Sequence, residues 1–203
     1  NLTMKEGHYS WSNQSFRSFD STVLEIITNQ GISGFGEICP LGPSYLPSYS
    51  EGVRVGIKKL SEILLGKDPS NINNINFLMD NALKGHPYVK SAVDIACWDI
   101  LGKKMNIPVY TLLGGKLQSK VKLFKVISRD IPEIMQEKVN EYQEQGYQQF
   151  QMKVGAEPTV DISRIKLVSK DLKTGNILGA DANCGWKQHD AIRVINAVSD
   201  LDI

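Results

Sequence analysis

The sequence predicts an α+β segment followed by the opening units of a parallel β/α array. Three observations carry this reading. A strand–turn–strand pattern comes first, three amphipathic helices follow, and beyond Gly115 strands and helices alternate with a nearly constant period. The division falls near residue 118, giving an α+β segment 1–117 and a β/α segment 118–203.

The first strand is Ser21–Thr28 (STVLEIIT), rich in β-branched residues. Asn29-Gln30-Gly31 supplies turn chemistry, and Ile32–Glu37 returns as the second strand of an antiparallel hairpin. Pro40–Ser50 holds three prolines and two tyrosines and reads as an aromatic loop. Val53, Ile57, Leu60 and Leu64 then recur as one helical face. Ile72, Ile75, Met79 and Ala82 mark a second helix, and Val93, Ala96, Cys97, Ile100 and Leu101 a third. Pro108 and Leu112-Leu113-Gly114-Gly115 are expected to end the helical region.

Beyond Gly115 the pattern changes. Val121–Ser128 reads as a strand, and Asp130-Ile131-Pro132-Glu133 as a helix start with Asp130 as N-cap. Ile131, Ile134, Met135, Val139 and Tyr142 mark that helix's apolar face. Gln148–Val154 is a strand, followed by a helix through Ile162, Ile165 and Val168. Asn176–Asp181 is a strand, followed by a helix through Ala191, Val194, Ile195 and Val198. Leu201-Asp202-Ile203 is expected to open a further strand. The strand starts at 121, 148, 176 and 201 lie 27, 28 and 25 residues apart, the period of parallel βα units. A closed eight-unit barrel takes about 250 residues, so a barrel of this kind is expected here as three units and the start of a fourth strand.

Composition narrows the function classes. Hydrophobic residues make up 41% and charged residues 22%, which excludes a disordered tail or a collagen-like rod. A net charge of +1 gives no electrostatic case for nucleic acid or an anionic membrane. Cys39, Cys97 and Cys184 are odd in number and far apart, which suits a reducing, cytoplasmic setting better than a disulfide framework. No apolar run approaches the roughly 20 residues of a membrane helix, and the first residues lack the apolar core of a signal peptide. The sequence opens with Asn1 rather than methionine, so a longer parent protein is expected.

In βα architectures chemistry gathers at the C-terminal ends of the parallel strands. Those ends offer Ser128, Lys153, Asp181 and Asn183. Lys153 lies in an otherwise uncharged strand. Apolar walls disfavour a lysine's charged form, which is how such a residue becomes a usable base. The plain alternative is a strand-end lysine reaching solvent. Asp181 is a hard oxygen donor suited to a divalent cation, or else, like Asn183, a cap for the helix that follows. His8, His86 and His189 have no His or Cys partner at zinc-site spacing. No GxGxxG, GxxxxGK[ST] or GxSxG motif occurs.

Read together, several motifs resemble one family. They are Gly34-Phe35-Gly36-Glu37, Ser91-Ala92-Val93-Asp94-Ile95-Ala96-Cys97-Trp98-Asp99, Leu112-Leu113-Gly114-Gly115, Gln151-Met152-Lys153-Val154-Gly155 and Asp181-Ala182-Asn183. The whole chain resembles the enolase superfamily, specifically the mandelate racemase/muconate lactonizing enzyme group. The resemblance implies an α+β capping domain followed by the first part of a modified TIM barrel, (β/α)7β. It implies a Mg²⁺-dependent racemase, epimerase or dehydratase that removes the proton next to a carboxylate.

By the same resemblance Lys153 is the acid/base, the second lysine of a KxK motif whose first position is Gln151 here. Asp181 is the first metal ligand and Asn183 its polar neighbour. Tyr9, Trp11, Tyr45 and Gln151 are expected to contact substrate, the first three from two capping loops near 9–16 and 42–49. The other two metal ligands and the opposite-face base are expected beyond Ile203. The stretch CPLGPSYLP with FQMKVG resembles family members that act on proline-derived or other amino-acid substrates. A small-molecule carboxylate is the expected partner, in a homo-oligomer. Two rivals stand beside this reading. One is an aldolase-type barrel in which Lys153 forms a Schiff base, which borohydride would trap with substrate. The other is an inactive truncated relative that acts through association.

Overall fold

The computed structural model describes residues 1–203. In chain order the elements begin with β1 (Leu2–Thr3), β2 (Tyr9–Trp11), β3 (Gln14–Phe16), β4 (Ser18–Phe19), β5 (Thr22–Ile27) and β6 (Ser33–Ile38). Four helices follow: α1 (Ser50–Leu64), α2 (Ile72–Ala82), α3 (Pro87–Met105) and the short α4 (Val109–Leu112). Then come β7 (Phe124–Ile127), α5 (Pro132–Glu144), β8 (Gln149–Lys153), α6 (Pro158–Lys170), β9 (Ile177–Asp181) and α7 (Gln188–Ala197). They fall into two units: Asn1–Leu2 with Ser18–Ser119, and Thr3–Arg17 with Lys120–Ile203.

In the first unit β5 and β6 pair antiparallel, with Glu25 opposite Phe35. Leu24 and Ile26 pack on the core while Val23 and Ile27 are exposed, as the two-residue period of a strand dictates. The inward positions of β6 are Gly34 and Gly36. A Cβ at either would run into the backbone carbonyl of Ala96 or Ala92 on α3, so strand and helix meet backbone to backbone. The helical faces expected from periodicity are the buried ones. Val53, Leu60, Ile75, Met79, Val93, Ala96, Cys97 and Ile100 are all buried, and Trp98 packs partly buried against the same core. Burying one such large side chain contributes roughly 1.5–3 kcal/mol. The Asn71 side chain caps α2 by accepting the Asn74 N–H. The helical region does not end at Pro108. Proline fits the entry to a helix, and here it is the N-cap of α4.

In the second unit β7, β8 and β9 form a parallel sheet in the order β7-β8-β9. Register pairs Val126 with Gln151, Gln151 with Gly179 and Lys153 with Asp181. Ile127, Phe150, Met152 and Leu178 point to the helices and join Met135, Val139, Ile165, Val168, Val194 and Val198 in one core. By strand alternation Val126, Gln149, Gln151, Lys153, Gly179 and Asp181 share the opposite face.

Four expectations shift here. The first strand starts at Phe124 rather than Val121, because β8 begins only at Gln149, opposite Phe124; Val121 and Leu123 are left exposed. The N-cap of α5 is Ile131, not Asp130; the Asp130 carboxylate instead accepts the Ile131 N–H at 2.8 Å and faces His8 at 3.4 Å. Ile131, Ile134 and Ile195 are exposed, because the apolar stripes of α5 and α7 are broader than the faces the core covers. Leu201 opens no strand: its N–H closes a turn onto the Val198 carbonyl.

Thr3–Arg17 belongs to this unit through its β2–β3 hairpin, in which Ser10 pairs with Ser15. The hairpin is bonded to the C-terminal ends of β7 and β8. Arg129 donates its N–H to the Ser10 carbonyl, and Ser12 donates its N–H to the Val154 carbonyl. The Ser10 N–H donates to Ser128 Oγ at 2.7 Å, and Ser12 Oγ donates to the Gly155 carbonyl at 3.1 Å.

Candidate active site

The strand ends bring together two chemically able side chains. Lys153 and Asp181 are register partners, and Lys153 Nζ lies 2.6 Å from Asp181 Oδ2. Lys153 is only 6% exposed, so this carboxylate is its main polar neighbour. The wall expected to be apolar thus includes a charge. The second Asp181 oxygen accepts the Asn183 N–H at 2.8 Å. Burial acts to raise the Asp181 pKa. The Lys153 hydrogen bond, the Asn183 N–H and the Lys153 charge outweigh it and hold the carboxyl below its usual range.

Neither Asp181 nor Asn183 caps the next helix, since the N-cap of α7 is Lys187. Asn183 sits in the left-handed region at φ 44°, and its Oδ1 is buried without a hydrogen-bond partner. Two oxygen-bearing residues therefore follow one another at the end of β9, Asp181 ionised and Asn183 with its side-chain acceptor unused. Hard oxygen donors of this kind suit Mg²⁺, which takes few protein carboxylates and keeps its waters. No group of three or more His, Cys, Asp or Glu side chains gathers as a metal cage. By donor chemistry these residues fit one edge of a Mg²⁺ site.

The other expected residues divide. Gln151 is half-buried on the same face as Lys153, one pleat earlier, opposite the open space at Gly179. Tyr9 and Trp11 lie on β2, in the hairpin fixed to the ends of β7 and β8. Trp11 is 3% exposed and stacked on Phe16 at 4.9 Å, with Tyr9 tilted against it at 5.0 Å. The indole expected to face substrate is therefore buried, with Tyr9 and Phe16 of its hairpin among its neighbours, and Tyr9 is the more accessible ring. Tyr45 stands 42% exposed in the aromatic loop of the first unit. Ser128, flagged as a strand-end residue, fastens the hairpin.

Sequence reading missed a buried ion pair beneath the site. Asp161 is fully buried and Arg164 is 6% exposed, on α6. Their guanidinium and carboxylate meet at 2.6 Å. The available signal was position: Asp161, Ile165 and Val168 fall on one helical face, so a charge sat on an apolar stripe.

Comparison with known proteins finds matches to both parts of the chain. The mandelate racemase/muconate lactonizing enzyme N-terminal domain matches residues 8–114, and the enolase C-terminal domain-like family matches residues 134–203. A cis-3-hydroxy-L-proline dehydratase from Roseibium aggregatum is 53% identical over 203 residues, covering 100% of this chain and 55% of that protein. An N-succinyl-L-Arg/Lys racemase from Bacillus cereus is 34% identical, covering 93% of this chain and 52% of that protein. The crystal structure of the Bacillus cereus racemase superposes with a TM-score of 0.94 at 33% identity, covering 100% of this chain and 55% of that one. A member of the enolase superfamily from Roseovarius nubinhibens, complexed with magnesium, superposes at 0.82 with 39% identity, covering 94% and 54%. The chain spans about half the length of the curated relatives it matches. No helix is long and apolar enough to cross a membrane. A capping-type α+β unit, a partial parallel β/α array and these matches over both parts place the chain in the mandelate racemase/muconate lactonizing enzyme family of the enolase superfamily.

Proposed function

We propose that this chain carries the first half of the active site of a Mg²⁺-dependent enzyme that removes the proton next to a carboxylate. The substrate we infer is a cyclic amino acid with a β-hydroxyl, and the outcome dehydration. The observation that carries the reading is the Lys153–Asp181 pair at 2.6 Å on the ends of adjacent parallel strands.

In this reading the Lys153 amine takes the α-proton. It is anchored on the sheet and nearly excluded from water, so its approach to the substrate is set by the scaffold. Asp181 would hold the cation together with ligands from the remainder of the protein. Bound Mg²⁺ supplies the positive charge that stabilises the carboxylate as negative charge develops on it. Asp181 also positions Lys153, whose Nζ lies 2.6 Å from its Oδ2. Loss of the α-proton followed by departure of the β-hydroxyl as water gives an enamine, which tautomerises to a cyclic imine.

Two facts support the substrate class. Identity to the cis-3-hydroxy-L-proline dehydratase is 53% and runs over 203 residues. The neutral Gln151 leaves one cation on this wall of the site instead of two. A substrate whose own nitrogen is charged, beside the α-carbon, meets less repulsion there, and the Gln151 amide oxygen can accept its N–H. The test is to incubate the full-length enzyme with cis-3-hydroxy-L-proline and Mg²⁺ and to follow mass and imine formation. A product one water lighter supports the reading. Metal-dependent α-proton exchange without loss of water would leave an epimerase and remove the dehydratase assignment.

A further inference from the structure

We propose that Asp161 is the positioning residue of this site: one buried carboxylate on α6 that fixes the mutual placement of the loops carrying the base and the metal ligand. The proposal rests on the functional reading above and extends it to a residue that touches neither substrate nor metal.

Its carboxylate accepts four hydrogen bonds. Asp161 Oδ2 accepts the backbone N–H of Gly155 at 2.9 Å, that of Ala156 at 2.8 Å and the indole N–H of Trp186 at 2.8 Å. Asp161 Oδ1 accepts from Arg164 at 2.6 Å, and Arg164 Nε donates to the Asp130 carbonyl at 2.6 Å. These partners belong to three different strand-end loops. Gly155 and Ala156 follow β8, Trp186 follows β9, and Asp130 follows β7. Lys153 stands two residues before Gly155, and Asp181 five residues before Trp186. The Gly155 carbonyl in turn receives Ser12 Oγ, so the hairpin over the strand ends is registered on the same group.

The chemistry favours positioning over stability as the role. A buried ion pair gains little net stability, because removing both charges from water offsets their attraction. An apolar pair of the same volume would hold α6 to the sheet as well. It could not collect three N–H donors from two loops onto one oxygen. Gly155 sits at φ +95°, and a Cβ there would strike the Ala182 carbonyl, so only glycine fits this close approach of the two loops, and its flexible backbone is held by the bond to Asp161.

The test uses full-length enzyme carrying Asp161→Asn, and separately Trp186→Phe, which removes only the indole donor. For each, kcat, KM, the unfolding midpoint and the α-deuterium isotope effect on kcat are measured. A misplacement near 1 Å costs about 100-fold in rate. The expected result is a fall in kcat of about 10–100-fold for Asp161→Asn and a smaller fall for Trp186→Phe. KM should stay within about threefold, and the isotope effect should rise as proton transfer becomes limiting. Asp161→Glu should recover part of the loss. Loss of folded protein alone lowers kcat without moving the isotope effect. That outcome, or wild-type kcat in both variants, overturns the proposal. If the wild-type enzyme shows no α-proton chemistry, the functional reading fails by itself, and positioning is then decided by the metal-free crystal structure of Asp161→Asn. A longer Lys153–Asp181 separation supports it, and a pair still in contact overturns it.

Discussion

Replacing Gly185 with alanine should damage the site through one methyl group. Gly185 follows β9 and its N–H bonds to the Ala182 carbonyl. Its φ is not in the positive range, so alanine suits the backbone and the effect is steric. The new Cβ would overlap the Gly155 carbonyl oxygen and Ser12 Oγ and would lie 2.9 Å from the Gly155 carbonyl carbon, where ordinary contact begins at 3.4 Å. The loops after β8 and β9 must therefore separate by about 1 Å, and a shift of 1 Å at reacting groups costs about 100-fold. A loss of about 10–100-fold in kcat/KM follows, with about 1–3 kcal/mol of stability lost to overpacking. Steady-state kinetics and urea unfolding of full-length enzyme measure both. Ser12→Ala in the same chain should restore part of the loss, because it removes the side-chain obstacle, yet not all of it, because the Gly155 carbonyl is backbone. A Gly185→Ala enzyme within threefold of wild type would refute the close packing of these loops.

Two further outcomes follow from the packing and the caps. Gly36→Ala should destabilise the first unit by about 1–3 kcal/mol, because its Cβ meets the Ala92 backbone rather than a movable side chain, whereas Glu25→Ala on the exposed face should change urea stability by less than about 0.5 kcal/mol. Glu157 accepts the Thr159 and Val160 N–H groups at the start of α6, which depresses its carboxyl below 4.5. A depressed acid stabilises the fold at pH above its unfolded value and stops doing so as pH falls through its folded value. The stability gap between wild type and Glu157→Ala should therefore be open at pH 7 and close below pH 4.5. A gap that persists unchanged at lower pH would contradict the capping role.

The site was legible where chemistry and position coincide. Lys153 and Asp181 stood out as charged residues at the ends of parallel strands; periodicity alone left a solvent-reaching lysine and a helix cap open, and the family resemblance supplied their roles. The hairpin Thr22–Ile38 was legible because two-residue alternation and the Asn29-Gln30-Gly31 turn agree. Asp161 and Arg164 were hidden because, in a helix, charged residues are usually solvated, and only packing reveals which face is covered. The same limit explains Ile134 and Ile195, apolar residues in phase with the core that the core does not reach. Trp11 was legible as an aromatic in a loop, but its stacking on Phe16 depends on the register of a hairpin only three residues per strand. The tie between that hairpin and the ends of β7 and β8 joins residues more than a hundred positions apart, through backbone groups and the hydroxyls of Ser12 and Ser128, whose pairing no local pattern announces.

The central claim is a division of labour between Lys153 and Asp181, and isotope exchange tests it most directly. Full-length wild type, Lys153→Ala and Asp181→Ala are incubated with substrate in D₂O, and α-proton exchange is followed by NMR while Mg²⁺ affinity is measured separately by calorimetry. Lys153→Ala should lose exchange by about 10²–10⁴-fold, the usual worth of a positioned base, and still bind Mg²⁺. Asp181→Ala should bind Mg²⁺ weakly and lose exchange with it. Undiminished exchange in Lys153→Ala would contradict the account.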